Sequence, residues 1–218
     1  SHVYHLAARS FVPESWKDPH AFYRTNVLGT ATVLEFCRQT GASLTFVSSY
    51  VYGQPKYLPI DEEHPLQAVS PYSQTKIWGE ELVRFYADQF GVNATIIRPF
   101  NIYGPGQNSS FLIPVILQQA LSDETDVIEV ADDRPARDYL YVDDLIDLLL
   151  RVRSARCGTY NAGSGTSVSV AAVIEQVNHL LPKPKPLVSR SQERRAEVMD
   201  VVADTSKVRA ELGWLPRT

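Results

Sequence analysis

The chain has 218 residues, 44% of them hydrophobic and 21% charged, which is the composition of an ordinary globular protein. A formal net charge of −4 gives no electrostatic case for nucleic acid, although local basic residues can still hold a phosphorylated small molecule. No apolar run approaches the ~20 residues needed to cross a bilayer, no signal peptide is visible, and the histidines and two cysteines show neither metal-ligand nor redox spacing, so the expectation is a metal-free protein of a reducing cytoplasm.

Val3 to Ala8, VYHLAA, is an apolar run of strand length, and the chain opens almost inside it. Pro19 to Thr40 carries a helical pattern, with Phe22, Val27, Ala31, Leu34 and Phe36 near one side and Gly41 as a stop. Leu44 to Ser49, LTFVSS, is a second buried-type strand. A polar, proline-containing loop leads to Ser70, a helix runs from Pro71 to Phe90, and Ala94 to Pro99 is a third strand. Strands alternating with long helices imply a parallel sheet covered on both faces, which explains why these strands are uniformly apolar.

After Pro99 the texture changes. A turn-rich stretch, NIYGPGQNSS, precedes a helix from Leu112 to Leu121, a short strand from Val127 to Val130 and a helix led by Asp143 and Asp144. Pro182 to Pro186, PKPKP, reads as a stiff connector. The expected fold is α/β: an N-terminally truncated Rossmann-like parallel sheet in residues 1–100 and a smaller C-terminal α/β substrate lobe in 101–218. The chain should cross back to the sheet near 139–162. Ligands in open α/β sheets bind beyond the carboxyl ends of the strands.

At that rim the sequence SPYSQTK places Tyr72 and Lys76 one helical turn apart, on one face. An ammonium beside a phenol favours the phenolate and lowers its pKa. Bringing a tyrosine near neutrality needs about 4 kcal/mol, more than a solvated pair supplies, so a cationic cofactor ring nearby would help. The chemistry that suits this pair is proton exchange with an alcohol beside a hydride acceptor. A tyrosine–lysine pair alone is also common on helix surfaces. Ser48 and Ser49, at the end of the preceding strand, could supply the second hydrogen-bond group that a reacting alcohol needs.

FVSSYVYG, SPYSQTK, IIRPFNIYGPGQ, RDYLYVDDL and DTSKVRAELGWLP, in this order, resemble the extended short-chain dehydrogenase/reductase family, in particular its nucleotide-sugar epimerases, dehydratases and reductases, with UDP-glucose 4-epimerase-like members nearest. The resemblance runs from Val3 to Pro216 and implies a role for each matched residue. Tyr72 would be the general acid/base, Lys76 would hold the nicotinamide ribose, and Ser48, five residues before Gly53, would bind the reacting sugar hydroxyl, with Ser49 as the alternative. Ala7, Ala8 and Asn26 would line the cleft of NAD or NADP, and Pro99 and Phe100 would flank the nicotinamide. Asn101, Leu112, Arg137, Arg194 and Glu197 would bind the nucleotide-diphosphate sugar, the arginines as forks for phosphate. RRAEV departs from the usual pattern around Arg194. His5 reads as a packed strand residue.

Dehydratases of this family carry an acidic residue after the catalytic serine or threonine, where this chain has Ser49 and Tyr50. The expected activity is therefore 4-epimerisation through a transient 4-keto sugar. The alternatives are 4-ketoreduction and a non-catalytic nucleotide-sugar-binding or dimerisation module. The glycine-rich turn that would receive the dinucleotide pyrophosphate is expected about seventy residues upstream of Val3. Without it the polypeptide should bind NAD poorly and turn over little. An uncovered apolar edge strand should promote association beyond a homodimer, itself expected from the aromatic residues Phe22, Tyr23, Trp78, Phe85 and Tyr86.

Overall fold

The computed structural model describes residues 1–153, 157–192 and 197–218. It begins with β1 (His2–His5), α1 (Val12–Lys17), α2 (Pro19–Phe22), α3 (Gly29–Thr40), β2 (Ser43–Val47), α4 (Pro71–Phe90) and β3 (Ala94–Pro99). There follow β4 (Asn101–Tyr103), α5 (Leu112–Leu121), β5 (Ile128–Val130), β6 (Ala136–Tyr141), α6 (Val142–Val152) and β7 (Thr159–Ala162). The last elements are β8 (Ser167–Ser169), α7 (Val170–Leu180), β9 (Leu187–Ser189) and α8 (Ser206–Leu212).

Four parallel strands form the main sheet in the order β1-β2-β3-β7, with β1 at one edge of it. Its apolar strands are buried on both faces because two cores flank them. Ile96 joins Leu34, Cys37, Leu44, Phe46 and Val83 on the side of α3 and α4. Ile97 points the other way, into a core of Leu145, Leu148, Tyr160 and Trp214. The rest of the chain builds a three-stranded sheet, β4-β6-β8, and a two-stranded one, β5-β9, with α5 and α7 packed beside the latter.

α4 forms where local signals agree. Ser70 caps it reciprocally with Ser73, Pro71 occupies the first turn, and Gly91 closes it in the left-handed conformation at φ 68°. Gly79 lets this helix sit close to β2, since a Cβ there would lie 2.6 Å from Cζ of Phe46.

The expected single helix from Pro19 to Thr40 is interrupted. Tyr23–Leu28 is a π-helical segment between α2 and α3, and α1 precedes it unanticipated. The Asn26 side chain explains the widening: its Nδ2 donates to Thr75 Oγ1 on α4 and to the Arg9 carbonyl, and its Oδ1 accepts from Arg9 N–H. A residue is drawn out of the α ladder to serve partners elsewhere. β2 stops at Val47, so Ser48 and Ser49 lie in the turn beyond the strand and not within it. Among the described residues no helix is long and apolar enough to cross a membrane, and no group of three His, Cys, Asp or Glu side chains is placed to hold a metal.

Candidate active site at the carboxyl ends of β2 and β3

Tyr72 enters the site from the first turn of α4, and Lys76 follows one turn later. Lys76 is 5% exposed, its Nζ donates to the Val47 carbonyl at 2.7 Å and lies 5.0 Å from the Phe46 ring centre. Burial pulls this ammonium down to about 8, against the opposing field of Glu80. Burial likewise pushes the Tyr72 phenol up to about 12, while a hydrogen bond with Ser49 pulls the other way.

Two expectations change here. Lys76 was expected to acidify Tyr72, yet the side chain that favours the phenolate is Ser49, and the ammonium is turned to the end of β2. Ser48 was expected to meet the sugar, yet its Oγ donates to Glu80 Oε1 at 2.6 Å in a fully buried position. Ser49, the next residue of the turn, is the serine left to the site.

Behind this turn lies a buried polar network that the sequence did not suggest. Arg98 on β3 grips Glu80 with two bonds, Nε to Oε1 at 2.9 Å and Nη2 to Oε2 at 2.7 Å. Its Nη1 donates to Tyr52 Oη at 3.0 Å, and Tyr52 donates to Asn161 Oδ1 at 2.5 Å. Burial alone would raise the Glu80 carboxyl, but the guanidinium more than reverses this and holds it below its ordinary value. The available signal was Arg98 itself, a charge inside the uniformly apolar strand ATIIRP, because an arginine in such a place is almost never without a partner.

Other expected residues lie at the ends of the strands or are committed to bonds within the fold. Ala7 and Ala8 follow β1 with little side chain to obstruct a ligand, and Pro99 ends β3 at the rim. Asn26 has its amide committed to Arg9 and Thr75. Phe100, expected beside the nicotinamide, stacks its ring on Tyr50 at 5.4 Å and closes a core with Tyr52, Ile60 and Val201. His5 is a packed strand residue, as expected, bonded to Thr30 Oγ1.

On the smaller lobe, Asn101 on β4 is the register partner of Tyr139 on β6 and accepts from Tyr50 Oη at 3.3 Å. Arg137 and Glu197, expected at phosphate and ribose, form an ion pair with each other. Leu112 opens α5 and packs against the core of Ile116, Ile128 and Ile174. Arg194 lies outside the described residues.

Lys76 tests whether these residues suit a dinucleotide. An ammonium has three donors, among the described residues this one is bonded to the Val47 carbonyl alone, and a vicinal diol would satisfy the other two. The residues present thus fit the nicotinamide-ribose half of such a cofactor.

A parallel α/β sheet with a half-buried tyrosine, a buried lysine one turn later and a serine at its carboxyl rim defines a short-chain dehydrogenase type of site, and known proteins agree. The family described as GDP-mannose 4,6 dehydratase matches residues 1–218. The chain is 33% identical to UDP-glucose 4-epimerase of Corynebacterium glutamicum, across 98% of this chain and 70% of that protein. It is 32% identical to GDP-6-deoxy-D-mannose reductase of Pseudomonas aeruginosa, covering 98% and 74% respectively. It superposes on the crystal structure of UDP-glucuronic acid 4-epimerase from Bacillus cereus, bound to UDP-glucuronic acid and NAD, with a TM-score of 0.92 at 26% identity, covering 100% of this chain and 70% of that one. The chain belongs to the NAD(P)-dependent nucleotide-sugar epimerase and dehydratase family of extended short-chain dehydrogenases/reductases.

Proposed function

We propose that the protein carries out 4-epimerisation of a nucleoside-diphosphate sugar with NAD(P). The observation that carries this reading is the buried Lys76 with donors to spare, one helical turn from Tyr72 at the start of α4 and bonded to the end of β2, next to the turn that carries Ser49. Ser49 holds the reacting hydroxyl. Tyr72 takes its proton and later returns it to the same oxygen. Lys76, anchored on the Val47 carbonyl, holds the ribose hydroxyls with its remaining donors. When bound, NAD(P) supplies the hydride acceptor and donor. Rotation of the keto sugar between the two hydride transfers inverts C4 with no net redox change.

Dehydration is disfavoured on two counts. Neither Tyr50 nor Val51, the residues after Ser49, is a carboxylic acid. The buried carboxylate behind them, Glu80, accepts from Ser48 and Arg98 at Oε1 and from Arg98 and Arg84 at Oε2, which fills its acceptor sites and leaves none to serve as a second acid/base. Arg137 and Glu197, at the mouth of the smaller lobe, are the candidates for phosphate and ribose. The reductase reading keeps one support, the 32% identity to GDP-6-deoxy-D-mannose reductase.

Trp78, Phe85 and Phe90 on α4 and Leu28 and Phe36 beside it are exposed, and this apolar strip supports pairing of two copies; Phe22, also expected there, is instead fully buried core. Light scattering decides between monomer and dimer.

The test is incubation of the full-length protein with UDP-, GDP-, dTDP- and CDP-sugars and either NAD or NADP, followed by anomeric proton NMR. Appearance of the C4 epimer without net cofactor reduction supports the epimerase. Stoichiometric oxidation of NAD(P)H with a 4-keto sugar supports the reductase. Binding without either product would refute both.

A further inference from the structure

The turn between β2 and the proline-containing loop has an unusual division of labour. Ser48, its first residue, is bonded to Glu80. Tyr52 is bonded to Arg98 and Asn161 and sits 5.1 Å under the guanidinium. Between these two anchors lie Ser49 and Tyr50, and the Tyr50 hydroxyl donates to Asn101 Oδ1 at 3.3 Å. The backbone closes tightly in the same stretch, with Val51 N–H donating to the Ser49 carbonyl at 2.9 Å. Both anchors converge on one ion pair. Glu80 projects from α4, one turn beyond Lys76, so the helix that carries Tyr72 and the turn that carries Ser49 are keyed to the same carboxylate.

We infer that Glu80 and Arg98 are a positioning pair, which sets Ser49 against Tyr72 by pinning Ser48 and Tyr52 on either side of it. None of the four touches the reacting atoms. Their effect reaches the sugar only through Ser49 and Tyr50. This inference rests on the reading of Ser49 and Tyr72 as the reacting pair. A guanidinium held bidentately is a rigid anchor, because two parallel bonds fix direction as well as distance. Small errors in such placement are costly, since productive geometry tolerates displacements well under 1 Å.

The experiment is a double-variant cycle in the full-length protein. Ser48→Ala removes only a buried hydroxyl and leaves the Glu80–Arg98 pair intact. It should lower kcat by about 10-fold or more with KM and nucleoside-diphosphate affinity changed less than about 2-fold, the pattern of lost transition-state alignment. Ser49→Ala should lower kcat further. The combined Ser48→Ala/Ser49→Ala variant should be no slower than Ser49→Ala alone, because Ser48 acts through a group no longer there. Losses that multiply, or a Ser48→Ala enzyme with unchanged kcat, overturn the inference. So does the reverse ranking, in which Ser49→Ala is active and Ser48→Ala is dead, since Ser48 would then be the residue on the sugar.

A second readout needs no turnover. The ring-carbon resonance of Tyr72 in 13C-tyrosine-labelled protein, assigned through Tyr72→Phe, should move in the same direction in Ser48→Ala as in Ser49→Ala. An unmoved resonance in Ser48→Ala refutes the positioning role. Absence of any nucleotide-sugar conversion by the unmutated protein would refute the proposed function, and the resonance would still decide the positioning role.

Discussion

Glu80 and Arg98 lie 2.7 Å apart, Oε2 to Nη2, with their side chains 0% and 3% exposed. Neither charge has solvent to fall back on. Removing Arg98 leaves Glu80 only the partly exposed Arg84 as an ionic partner among the described residues, and loss of a buried partner costs about 3–5 kcal/mol. Arg98→Met should therefore lower the free energy of urea unfolding by that amount, about 3–5 kcal/mol, whereas Arg98→Met combined with Glu80→Leu should cost less than the single change. A single-variant loss under about 1 kcal/mol would show that the pair is solvated.

Lys76 gives a pH signature. Its ammonium titrates at about 8 in the folded chain and at 10.5 when unperturbed. Between these values the unfolded chain holds the extra proton, so stability rises with pH, by about 1.4 kcal/mol per unit at most. Wild type should gain stability from pH 8 to 9.5 relative to Lys76→Met, which lacks the titrating group. Parallel pH profiles for the two proteins would contradict this.

Gly79 sets the distance between α4 and β2. A Cβ 2.6 Å from the Phe46 ring cannot be accommodated without movement, so Gly79→Ala should destabilise by about 1–3 kcal/mol, in line with other overpacked cores. Because the obstacle is one ring, Phe46→Leu in the Gly79→Ala background should recover part of the loss in thermal unfolding. No recovery would place the strain elsewhere.

Arg137 is paired with Glu197 and is the described arginine proposed for the diphosphate. Arg137→Ala should weaken UDP binding about 10- to 100-fold by calorimetry, as expected for a lost hydrogen bond to a charged group. Glu197→Gln should have a smaller effect. UDP affinity unchanged in Arg137→Ala would move the phosphate site.

Features carried by neighbouring residues were legible in the sequence. α4 spans Pro71–Phe90 and β3 spans Ala94–Pro99, both as expected, because Ser-Pro and Gly91 mark the helix ends and an unbroken apolar run marks a strand buried on both faces. What escaped depends on distant partners. The π-helical segment at Tyr23–Leu28 arises from Asn26 reaching Thr75, 49 residues away. The short strands of the smaller lobe, such as β4 and β8 with three residues each, are too brief to carry a period. The family resemblance points to Ser48, with Ser49 as the alternative, but the direction of a hydroxyl depends on where β2 ends and on a carboxylate 32 residues further along. The ammonium–phenol relation failed for the same kind of reason: helical spacing brings Tyr72 and Lys76 to one face, yet the Val47 carbonyl claims the ammonium.

The central claim is that the Tyr72 phenol carries the proton of a sugar hydroxyl. Its most direct test is the single-turnover rate of the full-length Tyr72→Phe protein on the nucleotide sugar that the unmutated protein converts, with bound nucleotide measured in the same samples. The account predicts a rate about 100- to 10,000-fold lower, the range for loss of a general acid/base, with nucleotide affinity unchanged. Turnover within a few-fold of the unmutated protein would contradict it.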